Sequence, residues 1–271
     1  MNLQERVNNY LLEGYKKDSA NYKTCQDIIL LKIGNSSFAN STTIKGGVVM
    51  MELSKDKRRA TQDLDIDFIK YSLDDKSIRA FIDKLSDKEI KIKITSPIKK
   101  LNHQDYDGKR IFVDITDNYG NVISTKLDIG VHKDFDVKQD ELYFDLDTIG
   151  GSVSLLVNSK EQIFVEKLKS LLKYDITSTR YKDIFDFYYL INKTNLNKDR
   201  LLFYMEKFIL SDNNIEEKTI RDIEKTLQLI LNNNQFKAML NIARNNWLEL
   251  EVDEVIESIL EFIKSLELVE V

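Results

Sequence analysis

Two kinds of hydrophobic spacing divide this chain. In its first half, apolar and polar residues alternate in Asp63-Leu64-Asp65-Ile66-Asp67-Phe68, in Ile90 to Ile94, in Arg110 to Thr116 and in Val122 to Val131. A two-residue period sends successive side chains to opposite faces, so each segment predicts a half-buried strand. Residues 3–13 and 20–33 have helical spacing, the latter around Ile28-Ile29-Leu30-Leu31, and another helix is expected around Ile78–Leu85. After about residue 159 the alternation stops. Ile163, Phe164, Leu168, Leu171 and Leu172 recur at helical intervals, and Ser159-x-x-Gln162 is a candidate capping box at the start of that helix. Further helices are expected near 180–192, 198–211, 215–232, 235–245 and 251–267. The pattern predicts an α/β (α+β) domain over residues 1–157, closing with a strand at 152–157 after Gly150-Gly151. An all-helical domain over residues 158–271 follows.

Composition adds limits. The chain is 42% hydrophobic and 10% aromatic, enough to bury a substantial core rather than remain disordered. The one cysteine, Cys25, has no internal partner, and His103 and His132 are too few for a zinc cluster. The opening MNLQERVNNY lacks the cationic start and apolar stretch of a signal peptide, and no run nears the roughly 18 apolar residues of a membrane span. A soluble cytoplasmic protein with no membrane partner is expected.

Net charge is −5, which argues against a basic nucleic-acid coat. Its distribution is uneven. Residues 157–200 carry 9 Lys/Arg against 6 Asp/Glu, whereas 201–271 carry 7 against 14. A polyanion would meet the first of these stretches and avoid the acidic tract 251–271, although solvated helix faces explain the same counts equally well.

Candidate chemistry concentrates in residues 45–68. On a strand, Asp63, Asp65 and Asp67 share one face and Leu64, Ile66 and Phe68 the other. Crowded carboxylates repel one another unless solvent or a cation intervenes. Two of them at alternate positions have the reach to share Mg²⁺ with phosphate oxygens. Alternation alone does not choose between Asp63/Asp65 and Asp65/Asp67. Upstream, Gly46-Gly47 leads into an apparent helix, Val48 to Leu53, where backbone N–H groups can approach a phosphate without a Cβ in the way. Farther along, Asp128 lies opposite the apolar face formed by Leu127, Ile129 and Val131, together with Lys126, Gly130 and His132. Each feature is weak by itself: a Gly-Gly is usually a turn, and a strand aspartate is usually solvated.

In this order and spacing they resemble the nucleotidyltransferase superfamily, and the form Lys45-Gly46-Gly47…Arg59-x-Thr61-x-Asp63-Leu64-Asp65 resembles the AbiEii/AbiGii branch. Lys126-Leu127-Asp128-Ile129-Gly130 is similar to its third-carboxylate strand. Glu166-Lys167-Leu168, followed by Arg180-x-Lys182-Asp183-x-x-Asp186, is similar to its helical motifs. The resemblance spans roughly residues 40–190.

It implies a nucleotidyltransferase-like mixed sheet with flanking helices, joined to the helical domain. It selects Asp63 and Asp65 over Asp67, and implies that Asp63, Asp65 and Asp128 bind Mg²⁺ or Mn²⁺. Gly46, Gly47, Arg59, Thr61 and Lys167 would bind a nucleoside triphosphate (NTP). Lys167 would act with Asp183 or Asp186, which share a helix face and are not separated by spacing. From helical position alone Lys167 either snorkels past an apolar stripe or enters a polar cleft. The implied biology is a toxin with a separately encoded antitoxin, in a toxin–antitoxin or phage-defence (abortive infection) pair. The implied reaction is NTP-dependent transfer to an RNA, in particular a tRNA 3′ end. A protein or small-molecule acceptor and a non-catalytic nucleotide-binding regulator stay open. On the RNA reading, Lys55, Lys57, Arg58, Arg59, Lys160, Lys167, Lys169, Lys173, Arg180 and Lys182 form a basic rim. Lys169 and Lys173 are expected on an exposed helix face.

Overall fold

The computed structural model describes residues 1–101 and 108–267, apart from the side chain of Asp147. His103 and the last four residues of the acidic tract lie outside the described residues. The chain divides into two compact units, Met1–Asn158 and Ser159–Val271.

The first unit is built on an eight-stranded mixed sheet with the order β3-β5-β6-β2-β1-β8-β7, and β4 pairs with β5. These strands are β1 (Thr42–Lys45), β2 (Asp63–Ile69), β3 (Ile90–Ile94), β4 (Lys99–Leu101), β5 (Gly108–Asp117), β6 (Val122–His132), β7 (Asp140–Leu146) and β8 (Gly151–Val157). The helices are α1 (Leu3–Leu12), α2 (Lys17–Gly34), α3 (Gly46–Ser54) and α4 (Asp75–Lys84). Strand β2 is central. It runs antiparallel to β1 and parallel to β6.

Registered neighbours share a face, so the core side of the sheet follows directly from the pairing. Ile44, Ile66 and Ile129 line up across β1, β2 and β6, and Ile111 faces Leu127 across β5 and β6. All five side chains are fully buried. Helix α2 packs on β6 and β8, α1 on α2, and α4 on β3. Phe38, Phe68 and Phe81 meet edge to face at ring separations of 5.0–5.1 Å and fill the space beside α4.

Three strands depart from the sequence expectation. Strand β1 is only four residues long and buried throughout, so it lacks the alternation that marks a half-exposed strand. Strand β4 has three residues and no core face. Strand β7 does alternate, with Phe144 and Leu146 inward and Glu141, Tyr143 and Asp145 outward, in a segment where no strand is expected.

The second unit is helical among its described residues: α5 (Lys160–Tyr174), α6 (Tyr181–Lys193), α7 (Lys198–Met205, extended by a π-turn at Glu206–Leu210), α8 (Ile220–Leu231), α9 (Asn234–Leu240) and α10 (Val252–Glu267). The Ser159 side chain accepts the Gln162 backbone N–H at 3.1 Å, the N-cap bond expected there. Two boundaries differ from expectation. Helix α8 starts at Ile220 rather than near 215, because Thr219 caps it by accepting the Asp222 N–H. Helix α9 ends at Leu240 rather than near 245. Phe164, Phe187 and Phe262 cluster in the core of this unit. Among the described residues no helix is long and apolar enough to cross a membrane.

Candidate active site on the acidic sheet face

The parallel register of β2 and β6 sets Asp63 beside Lys126, Asp65 beside Asp128 and Asp67 beside Gly130. Asp65 and Asp128 are therefore direct neighbours on one face, with backbones about 4.8 Å apart. The next strand, β5, puts Arg110 beside Asp128, while β1 puts Lys45 beside Asp65. Three carboxylates and three cations thus alternate around Asp65.

The cations are engaged with the acids. Lys126 Nζ lies 2.8 Å from Asp63 Oδ1. Lys45 pairs with Asp67 at 2.9 Å, both largely buried. Arg110 donates from Nε and Nη2 to the two oxygens of Asp128, each at 2.7 Å. The Asp128 bond raises the Arg110 guanidinium pKa against the opposing effect of burial, and the charges of Asp63 and Asp65 add to it.

Gly46 and Gly47 complete this face. Gly46 has φ +64°, and a Cβ there would lie 2.6 Å from Asp65 Oδ2. At Gly47 a Cβ would meet the Thr61 side chain at 2.8 Å. The pair thus lets the first turn of α3 seat directly against Asp65 and Thr61, with a backbone angle that a side chain rarely adopts. The N-cap residue of α3, Lys45, provides no side-chain cap, so the helix begins with amide donors suited to an anion. Gln26 of α2, itself buried, donates to the Thr61 carbonyl at 3.0 Å and fixes the segment leading into β2. Arg59 is buried within a short turn at Lys57–Arg59 whose start is capped by Asp56.

Among the described residues no three His, Cys, Asp or Glu side chains converge as a metal cage. Mg²⁺ needs none, since it takes one or two carboxylates with substrate phosphates and water. The donor set around Asp65, with the cradle at Gly46, fits an ion that arrives with a nucleotide.

Other expectations are modified here. Asp67 is not a solvated acid: it is 5% exposed and held by Lys45. His132 is buried with Nε2 3.1 Å from the Val137 carbonyl, a structural bond. Sequence pattern assigns no role to Lys126, Arg110 or Gln26; only the strand register reveals the first two.

The second unit holds its own charged cluster. Lys167 of α5 is 4% exposed and pairs with both Asp183 and Asp186 of α6, the latter at 2.9 Å. Arg180 Nε donates to Asp183 at 2.7 Å. Both acids, rather than one, are partners of Lys167. Tyr188 donates its hydroxyl to Glu254 at 2.8 Å, and Phe185 and Phe187 are core residues. Lys169 is not on a free surface as expected, since it pairs with Asp212 at 2.5 Å. The run at 55–59 is likewise laced with acids: Lys55 pairs with Glu52, Lys57 with Glu13, and Arg58 with Asp56.

A mixed sheet bearing paired acids on adjacent parallel strands, next to a Gly-Gly helix start, defines a protein of the nucleotidyltransferase-like class. The model of the nucleotidyl transferase AbiEii toxin family, type IV toxin–antitoxin system, matches residues 28–257, and the chain belongs to that family. Comparison with curated protein sequences gave no match. Membership makes this a nucleotidyltransferase toxin of a type IV toxin–antitoxin system and implies an antitoxin partner.

Proposed function

We propose that this chain transfers a nucleotidyl group from an NTP to an acceptor hydroxyl, and that the acceptor is an RNA 3′ end. The observation that carries the reading is the placement of Asp65 beside Asp128 in register, with Gly46 packed against Asp65. Asp63 and Asp65 would hold Mg²⁺ or Mn²⁺, which when bound neutralises charge on the triphosphate. The amide groups at the start of α3 orient the phosphates. Asp128 accepts the proton of the attacking hydroxyl. The acceptor oxygen bonds to the α-phosphorus, the bond from that phosphorus to the bridging oxygen of the β-phosphate breaks, and pyrophosphate leaves with the electron pair.

A protein or small-molecule acceptor is the second reading. It is favoured by the acid pairing of Lys55, Lys57, Arg58 and Lys169, which reduces the positive surface available to a long polyanion. Incubation of the protein with a total cell extract and each α-labelled NTP, followed by separation of RNA, protein and metabolites, distinguishes these. Label in RNA is expected. Label confined to the other fractions removes the RNA acceptor, and no label in any fraction removes the transfer reading.

A further inference from the structure

Arg110 fits none of the roles so far assigned, yet it is bound directly to Asp128. Both its donors to Asp128 are short, and they take both oxygens of that carboxylate. The bond is built into the sheet, because Arg110 and Asp128 are registered neighbours across β5 and β6. The Asp128 side chain is 9% exposed whereas that of Arg110 is 33% exposed, so Arg110 is the more accessible member of the pair. A planar guanidinium that spans a carboxylate in this way can exchange it for two phosphate oxygens, which offer the same bidentate geometry.

We propose that Arg110 is a counter-ion gate on Asp128: it screens the acidic face from free divalent cations and moves to the triphosphate when metal and nucleotide arrive together. The proposal rests on the nucleotidyl-transfer reading of this face. Its electrostatics are direct. A fixed positive charge within hydrogen-bond distance of Asp128 opposes a divalent ion at the neighbouring Asp65. A polyanionic nucleotide reverses the balance, since it gives the guanidinium a new partner and leaves Asp128 open to the acceptor proton. The other cations behave differently. Lys45 is buried with Asp67 and holds β1 to β2, while Lys126 meets the half-buried Asp63 through a single nitrogen.

The gate makes a prediction of opposite sign for two ligands. Binding of Mn²⁺ to the full chain is followed by electron paramagnetic resonance, with and without α,β-methylene analogues of the four NTPs. Without nucleotide, Arg110→Gln should bind Mn²⁺ about tenfold more tightly than wild type, the scale of a lost charge-assisted contact. The same variant should bind the analogue about tenfold more weakly. Arg110→Lys, which keeps the charge but loses the fork, should shift both affinities the same way by less, and it serves if the glutamine variant does not fold. Unchanged or weaker Mn²⁺ binding in the variants, with wild type binding Mn²⁺ normally alongside nucleotide, overturns the gate and leaves the transfer reading standing. Wild type that takes up no Mn²⁺ even with saturating analogue overturns the metal-site reading and the gate with it.

Discussion

Gly46→Ala separates the geometry of the acidic face from the stability of the fold. At φ +64° the alanine enters the left-handed region, at a cost of roughly 1–2 kcal/mol. Its Cβ would also lie 2.6 Å from Asp65 Oδ2, inside the 3.4 Å at which ordinary contact begins. The carboxylate must retreat by about 0.8 Å or turn away, and misplacement on that scale at a reaction centre can cost on the order of 100-fold in rate. Stability should therefore fall by about 1–2 kcal/mol in urea denaturation, while the rate of label transfer from NTP falls on the order of 100-fold in the folded variant. Gly120→Ala supplies the control. That glycine has φ +83° with nothing within 4 Å of the added Cβ, so it carries the backbone cost without displacing any group. It should lose comparable stability and keep its activity. Full activity in Gly46→Ala, with only the stability change shared by Gly120→Ala, would refute the claim that Asp65 must sit where the glycine lets it.

Two further outcomes follow from buried charge. Lys167→Ala strips compensation from the fully buried Asp186 and should lower the stability of the second unit by about 3–5 kcal/mol, read from the emission of the sole tryptophan, the buried Trp247. Near-wild-type stability together with lost NTP affinity would instead make Lys167 a ligand contact. For Asp117, burial raises the carboxyl pKa, but the Asn121 side chain and the backbone N–H groups of Leu3, Asn121 and Tyr119 outweigh it and hold the pKa below the usual range. A lowered folded pKa contributes stability that is whole above the unfolded value of about 4 and disappears as pH falls through the folded one. Asp117→Ala should be about 2 kcal/mol less stable at pH 7, with the two proteins converging below pH 4. A gap that stays constant to pH 2 would contradict this.

The legible parts of the fold were those with one buried face. Strands β2, β3, β5 and β6 alternate because one side of each meets the core, and α5 and α10 repeat at helical spacing for the same reason. Strand β1 is buried on both sides and left no period to read. At the site, the sequence order of Gly46, Gly47, Asp63, Asp65 and Asp128 pointed to one chemistry through family resemblance. Their contacts depended on strand register, which is non-local. The same limit hid Arg110, separated from Asp128 by a β-hairpin, and the Lys126–Asp63 pair across a parallel crossover. Helical spacing places Lys169 on an exposed face, and it cannot show the pairing with Asp212, which lies far along the chain.

The central claim is transfer of the α-phosphoryl unit of an NTP with loss of pyrophosphate, dependent on Asp65. Its most direct measurement compares α-labelled with γ-labelled NTP in extract containing added protein, alongside Asp65→Asn shown to be folded. Acceptor-bound label should come from the α position alone, with pyrophosphate carrying the γ label, and Asp65→Asn should yield neither product. Acceptor labelling from the γ position, or undiminished α labelling by Asp65→Asn, would contradict it.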